Sequence, residues 1–143
     1  MKSIINRLTN PFSSAQVFNI GMLFFRITIS LELIIVHGFK KTGIGVAEAE
    51  KVPDPFHMPE VLNNDLAILA NIFFPFLVLI GLFTRLATIP TLILTMTGYF
   101  IMHWNDTPLV KDTPYVYSVM FLLILILGPG KYSIDNYINK STN

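Results

Sequence analysis

Four stretches of this chain are apolar over lengths that suit membrane-crossing helices, and nothing else in the sequence limits its fold so strongly. A hydrocarbon core of about 30 Å takes about 20 helical residues. The runs cover residues 17–38, 66–83, 86–104 and 115–128. They lack period-2 alternation, and a segment inside lipid must satisfy its backbone groups internally. The expectation is therefore all-α: a polytopic membrane protein built as a four-transmembrane-helix bundle. Composition agrees, with 52% hydrophobic and 13% charged residues and a mean hydropathy of +0.59. At 143 residues the chain reads as a single membrane domain.

The boundaries carry helix punctuation. Asn10-Pro11 and Thr113-Pro114 each read as a cap followed by a first-turn proline, and Asn64-Asp65 reads as the cap of the second helix. Gly128-Pro129-Gly130 reads as a helix stop, with Ser133 capping a short amphipathic tail from Ile134 to Asn139. Four spans put both termini on one side. An N-in/C-in arrangement leaves Lys2, Arg7, Arg85, Lys131 and Lys140 inside against Lys40, Lys41, Lys51 and Lys111 outside, and it puts most acidic residues outside. Trp104, Tyr115 and Tyr117 are expected at one interface, and Phe12, Tyr132 and Tyr137 at the other. Residues 39–65 form the one sizeable loop, read as an ordered irregular cover. Lys2 and Arg7 precede the first apolar run, but no small-residue cleavage site follows a short hydrophobic region, so no removable signal is expected.

The absence of cysteine excludes thiolate metal ligands, iron–sulfur clusters and a thiol redox cycle on this chain. Any redox role must borrow its electron carrier. A net charge of +1 gives no argument for nucleic acid.

Polar residues inside the spans are the informative ones, because an ionisable group at that depth costs at least about 2.5 kcal/mol. On a regular helix Arg26, Ser30 and His37 share one face, with Arg26 and His37 about 16 Å apart along the axis. Glu32 lies about 120° away and is expected to point to a neighbouring helix or a water-filled gap. Pro75 lacks the N–H that would bond the carbonyl of Asn71, so a kink is expected there, with Asn71 as a docking point for Arg26. Thr88, Thr91, Thr95, Tyr99 and His103 form one stripe on the third span; packing explains the threonines, and His103 brings the stripe level with His37. His57 lies in the loop on that side, but no two histidines have a ligand spacing and no metal is expected. The candidate ligand site is Glu32, His37, Tyr99 and His103. Arg26, Ser30, Asn71, Pro75, Thr91 and Thr95 form the expected structural polar cluster.

Several segments resemble the DoxX family of small four-helix membrane proteins: Arg26 in the first span, His37-Gly38-Phe39-Lys40-Lys41 at its end, Gly81-Leu82-Phe83-Thr84-Arg85, and Gly128-Pro129-Gly130-Lys131-Tyr132-Ser133-Ile134-Asp135. The resemblance implies a membrane redox component associated with quinone chemistry. The sequence departs from the family pattern in the second span, where Asn71 and then Phe74-Pro75 stand in place of an acidic residue before a small-residue pair; Glu32 is then the only carboxylate within a span. The leading expectation is an accessory subunit of a redox system in a bacterial inner membrane, holding a quinone-like lipid near its outer half. It would work with other membrane subunits rather than as a complete enzyme. The alternatives are a non-catalytic assembly partner of a larger complex and a small proton-coupled exporter using Glu32.

Overall fold

The computed structural model describes residues 14–141. The features at Lys2, Arg7, Asn10-Pro11 and Phe12 lie outside the described residues. Four helices are each long and apolar enough to cross a membrane: α1 Ala15–Lys41, α2 Glu60–Ile80, α3 Thr84–Met102 and α4 Pro108–Leu127. A short helix, α5 Ile134–Ser141, follows. No strand occurs among the described residues. Each long helix packs on its sequence neighbour, while α1 and α4 touch only slightly to close the ring. Val78, Ala87, Phe121 and Ile124 fill the centre, whereas Phe24, Leu86 and Ile126 stand exposed around it. Apolar residues facing both inward and outward suit helices whose solvent is lipid.

Two expected helix starts move. Helix α2 begins at Glu60, directly after Pro59, rather than at Asn64-Asp65. Asn63 instead uses its amide to hold the loop carbonyls of Val52 and Pro53 at 3.4 and 3.2 Å. Helix α4 begins with Thr107-Pro108, the same cap-then-proline signal six residues before Thr113-Pro114, so Pro114 is a helix-interior residue. Gly98 of α3 makes room for it, since a Cβ there would lie 3.3 Å from the Pro114 Cβ. Helix α4 stops at Gly128 as expected, and Ser133 Oγ accepts from the Asn136 N–H at 3.2 Å to start α5. With α1 running to Lys41 and α2 starting at Glu60, the loop shortens to residues 42–59.

Three of these helices contain π-helical turns: Leu33–Gly38 in α1, Leu69–Phe73 in α2 and Gly98–Met102 in α3. The one in α2 explains how Pro75 is accommodated. There the Phe74 N–H reaches back five residues to the Leu69 carbonyl. In that register the N–H missing at Pro75 would have served Ala70, not Asn71. The Thr91 hydroxyl donates to the Ala70 carbonyl across the helix pair at 3.0 Å, so the group released by the proline is satisfied by α3. The Asn71 amide donates to Ala67 within its own helix at 2.8 Å.

Arg26 therefore does not dock on Asn71. A Cβ at Gly38 would lie 2.9 Å from the Asn71 carbonyl oxygen, which puts Gly38 level with Asn71. Twelve residues separate Gly38 from Arg26, about 18 Å of helix. Side chains also lean toward the helix N-terminus, which carries the guanidinium further away. It goes instead to the end of the bundle that holds the α2–α3 turn and α5. There Arg26 Nη2 donates to the Tyr132 carbonyl at 2.9 Å and Nη1 abuts Gly81. Asp135 completes this lock. Its N–H donates to the Gly81 carbonyl at 2.8 Å, and its carboxylate accepts from the N–H groups of Phe83 and Thr84 at 2.7 and 2.9 Å and from the Thr84 hydroxyl at 2.8 Å. Phe83 provides no side-chain cap for α3, so Asp135 caps it from a distant segment. Ser30, one turn from Arg26, is fully buried. The remaining threonines form a buried stripe: Thr88 donates to the Thr84 carbonyl, and Thr95 joins α3 to α4 by accepting from Ser118 Oγ at 3.0 Å.

Candidate functional site

At the opposite end of the bundle the helices enclose a cavity of about 690 Å³, within the range of small-molecule sites. Its walls come from all four long helices and its roof from the loop 42–59. The π-turn of α1 brings His37 to the cavity wall, where its ring meets Tyr117 of α4 edge to face at 5.3 Å. His103, just past α3, lines the cavity too, and its Nδ1 lies 2.7 Å from Asp106 Oδ2. Asn71 and Thr95 reach the same space from α2 and α3. Toward the helix middles the wall becomes apolar, with Phe74, Ile93 and Leu94.

The roof is fixed by ionic and backbone contacts. Lys41 Nζ lies 2.9 Å from Glu50 Oε2 and Lys40 Nζ 3.6 Å from Oε1, while the Glu50 N–H donates to the Lys40 carbonyl at 2.8 Å. Partial burial acts to raise the Glu50 pKa. The Lys41 hydrogen bond and the charges of Lys41 and Lys40 outweigh it, holding the carboxyl below its ordinary value. With Lys51 beside them, four cavity-lining charged residues thus sit at the loop end, facing the apolar portion below.

Of the four residues expected to form a ligand site, two meet. His37 and His103 share the cavity, whereas Tyr99 packs against Tyr115 at 5.3 Å in the seam between α3 and α4, beside a separate shallow pocket. Glu32 is exposed on the outer surface of the bundle and does not line the cavity, contrary to its expected inward role. Beyond Leu33 the chain enters the π-turn, whose wider register changes which residues share a face, so a regular helical wheel no longer places Glu32 relative to His37. Tyr117, expected at an interface, is only 8% exposed and contributes to the site. Lys40, Lys41 and Glu50 were not singled out as a group; the close lysine pair after His37 was their one sequence signal. His57 remains exposed in the loop, outside the cavity. Among the described residues no three His, Asp or Glu side chains converge as metal ligands.

A family model described as DoxX matches residues 21–104, well over half of the chain. The Escherichia coli (strain K12) inner membrane protein YqjF is 31% identical over 126 residues, covering 85% of this chain and 95% of that protein. A Haemophilus influenzae protein described as uncharacterized is 30% identical over 96 residues. That alignment spans 64% of each chain, so it leaves about a third of the Haemophilus protein unmatched. No solved structure matches.

Proposed function

The chain belongs to the DoxX family, and from that premise we propose that it is an inner-membrane accessory subunit that holds a quinone-like lipid for a redox partner. The observation carrying this reading is the cavity of about 690 Å³ at the loop end, apolar along its depth and bounded by His37, His103 and Tyr117. These donors suit a quinone head: an imidazole N–H or a phenol O–H can donate to a ring carbonyl, and the apolar wall of Phe74, Ile93 and Leu94 suits the rest of the molecule. A bound quinone would supply the two-electron chemistry. This chain's residues bind and orient it and exclude water, while the electrons come from a partner's carrier. Counting lysine and arginine together, five basic residues on the side of the termini against four on the loop side support placing the loop end outside, with both termini inside.

Fluorescence tests the reading, because Trp104 is the only tryptophan and adjoins His103. Titration with a short-tailed benzoquinone should give saturable quenching, and mass spectrometry of the gently purified protein should find a co-purifying quinone. His37→Leu should weaken binding at least about tenfold, the loss of one or two hydrogen bonds. Non-saturable quenching together with no co-purifying quinone would overturn it.

One observation favours a second reading as an assembly partner. Glu32 is exposed on a helix that spans the membrane, and such a group ordinarily faces protein or water rather than lipid tails. A polar surface of a larger complex would cover it. Stoichiometric co-purification that is lost in Glu32→Leu would support this role, and an unchanged partner set would remove it. The exporter reading gains no support, since the carboxylate it requires lies outside the cavity.

A further inference from the structure

The cavity has a second end, and that end faces lipid. Its apolar half is formed by two facing stripes: Leu66, Ala70 and Phe74 at every fourth position of α2, and Pro90, Ile93 and Leu94 of α3. Ile93 is the middle residue of the 19-residue α3 and is 60% exposed, yet it also lines the cavity; Leu66 does so at 47% exposure. Side chains that both line the space and are exposed mark where it can open; Phe56 and Val110, 57% and 49% exposed, do the same at the loop end. The Thr91–Ala70 hydrogen bond ties the two helices together, and α2 and α3 pack extensively toward their connecting turn. In the other direction Glu60–Ile68 and Gly98–Met102 make few close approaches. The hairpin is therefore splayed toward the loop, with the opening at the depth of the membrane midplane and facing hydrocarbon tails.

We propose that the cavity is entered sideways from the bilayer between α2 and α3, and that its occupant is a one-tailed amphiphile whose tail lies in the slot between Phe74 and Ile93. Its polar head rests near His37 and His103, beneath the Lys40–Lys41–Glu50 strap. The polarity gradient selects this orientation. A head at the opening would be stranded in hydrocarbon, and a tail under the strap would strip water from charged groups. A wholly water-soluble ligand would gain nothing from the slot. The identity of the head rests on the functional reading above; the sideways entrance does not.

Two measurements separate the two. In a Trp104→Phe background, tryptophan placed by Phe74→Trp, Ile93→Trp or Phe121→Trp reports contact with brominated acyl chains in phosphatidylcholine vesicles. Phe121 is fully buried and sets the shielded limit. Phe74→Trp should be quenched nearly as strongly as Ile93→Trp; quenching no greater than that of Phe121→Trp overturns the entrance whatever the protein binds. The second measurement compares a benzoquinone with and without a decyl tail, by competition or calorimetry. The tail should strengthen binding to the native chain at least about tenfold. Ile93→Trp, which fills the mouth, should abolish that gain while weakening the tail-less ring far less. A tail gain that survives Ile93→Trp, or no gain in the native chain, overturns the tail slot. Strong quenching at Phe74→Trp with neither ring binding keeps the entrance and removes the quinone head.

Discussion

Asp135 and Arg26 show how few residues close one end of the molecule. One carboxylate accepts three hydrogen bonds from the α2–α3 turn, two of them from N–H groups at the start of α3. Asp135→Ala leaves the Thr84 N–H and hydroxyl unpaired in a part-buried setting, and about 2 kcal/mol of stability should be lost, read as an earlier midpoint in denaturing-detergent titrations. Asp135→Asn should lose less, since an amide oxygen still accepts. Gly81 is equally restricted, for two separate reasons. Its φ of +74° favours glycine, and a Cβ would collide with the Arg26 guanidinium and come within 2.6 Å of the Ser133 Cβ. Gly81→Ala should therefore cost more than the roughly 1 kcal/mol of a simple left-handed penalty, and trimming the arginine should relieve only the collision. Burial of Arg26 was legible from the cost of a charge in a span. Its partner was not, because the Tyr132 carbonyl lies 106 positions away and only the folded-back segment after α4 brings it near.

At the scale of helices, regular periodicity was legible and its interruptions were not. Four spans and a buried threonine stripe follow from apolar runs and a 3.6-residue repeat. Pro75 signalled a break, but the sequence pointed to the wrong carbonyl because a π-turn moves the missing bond by one residue. A double-mutant cycle tests the correction. Thr91→Val removes the hydroxyl that serves Ala70 and should cost about 1–2 kcal/mol by leaving a buried carbonyl unpaired. In a Pro75→Ala background the restored N–H can serve that carbonyl, so the same substitution should cost measurably less. Equal costs in both backgrounds would show that the proline and the threonine act independently. Pro114 misled for a related reason: its local sequence matches the true start at Thr107-Pro108, and only the approach of Gly98 shows that it belongs inside α4.

Across the whole molecule, the two ends of the bundle differ in how firmly they are closed. The end with the α2–α3 turn is locked by part-buried hydrogen bonds, whereas the loop end is held over the cavity by the Asn63 amide and by Glu50, whose side chain is 42% exposed. Solvent screening limits that strap to under about 1 kcal/mol. The Glu50 pKa is lower in the folded chain than in the unfolded one, so the strap contributes fully at pH values above the ordinary glutamate pKa. Its contribution is lost as pH falls through the lowered folded value. The protection that the strap gives residues 42–59 against hydrogen exchange, up to about fivefold, should accordingly be nearly constant at neutral pH, after correction for intrinsic rates, and be lost only under acid conditions. Glu50→Gln should produce that loss at neutral pH while leaving exchange around Asp135 unchanged. Because His37 and His103 lie beneath this roof, the same variant should accelerate release of a bound amphiphile while leaving its entry nearly unchanged: the roof contacts the polar end, and the route from lipid lies between α2 and α3. Equal acceleration of both steps would instead indicate that the ligand passes under the loop.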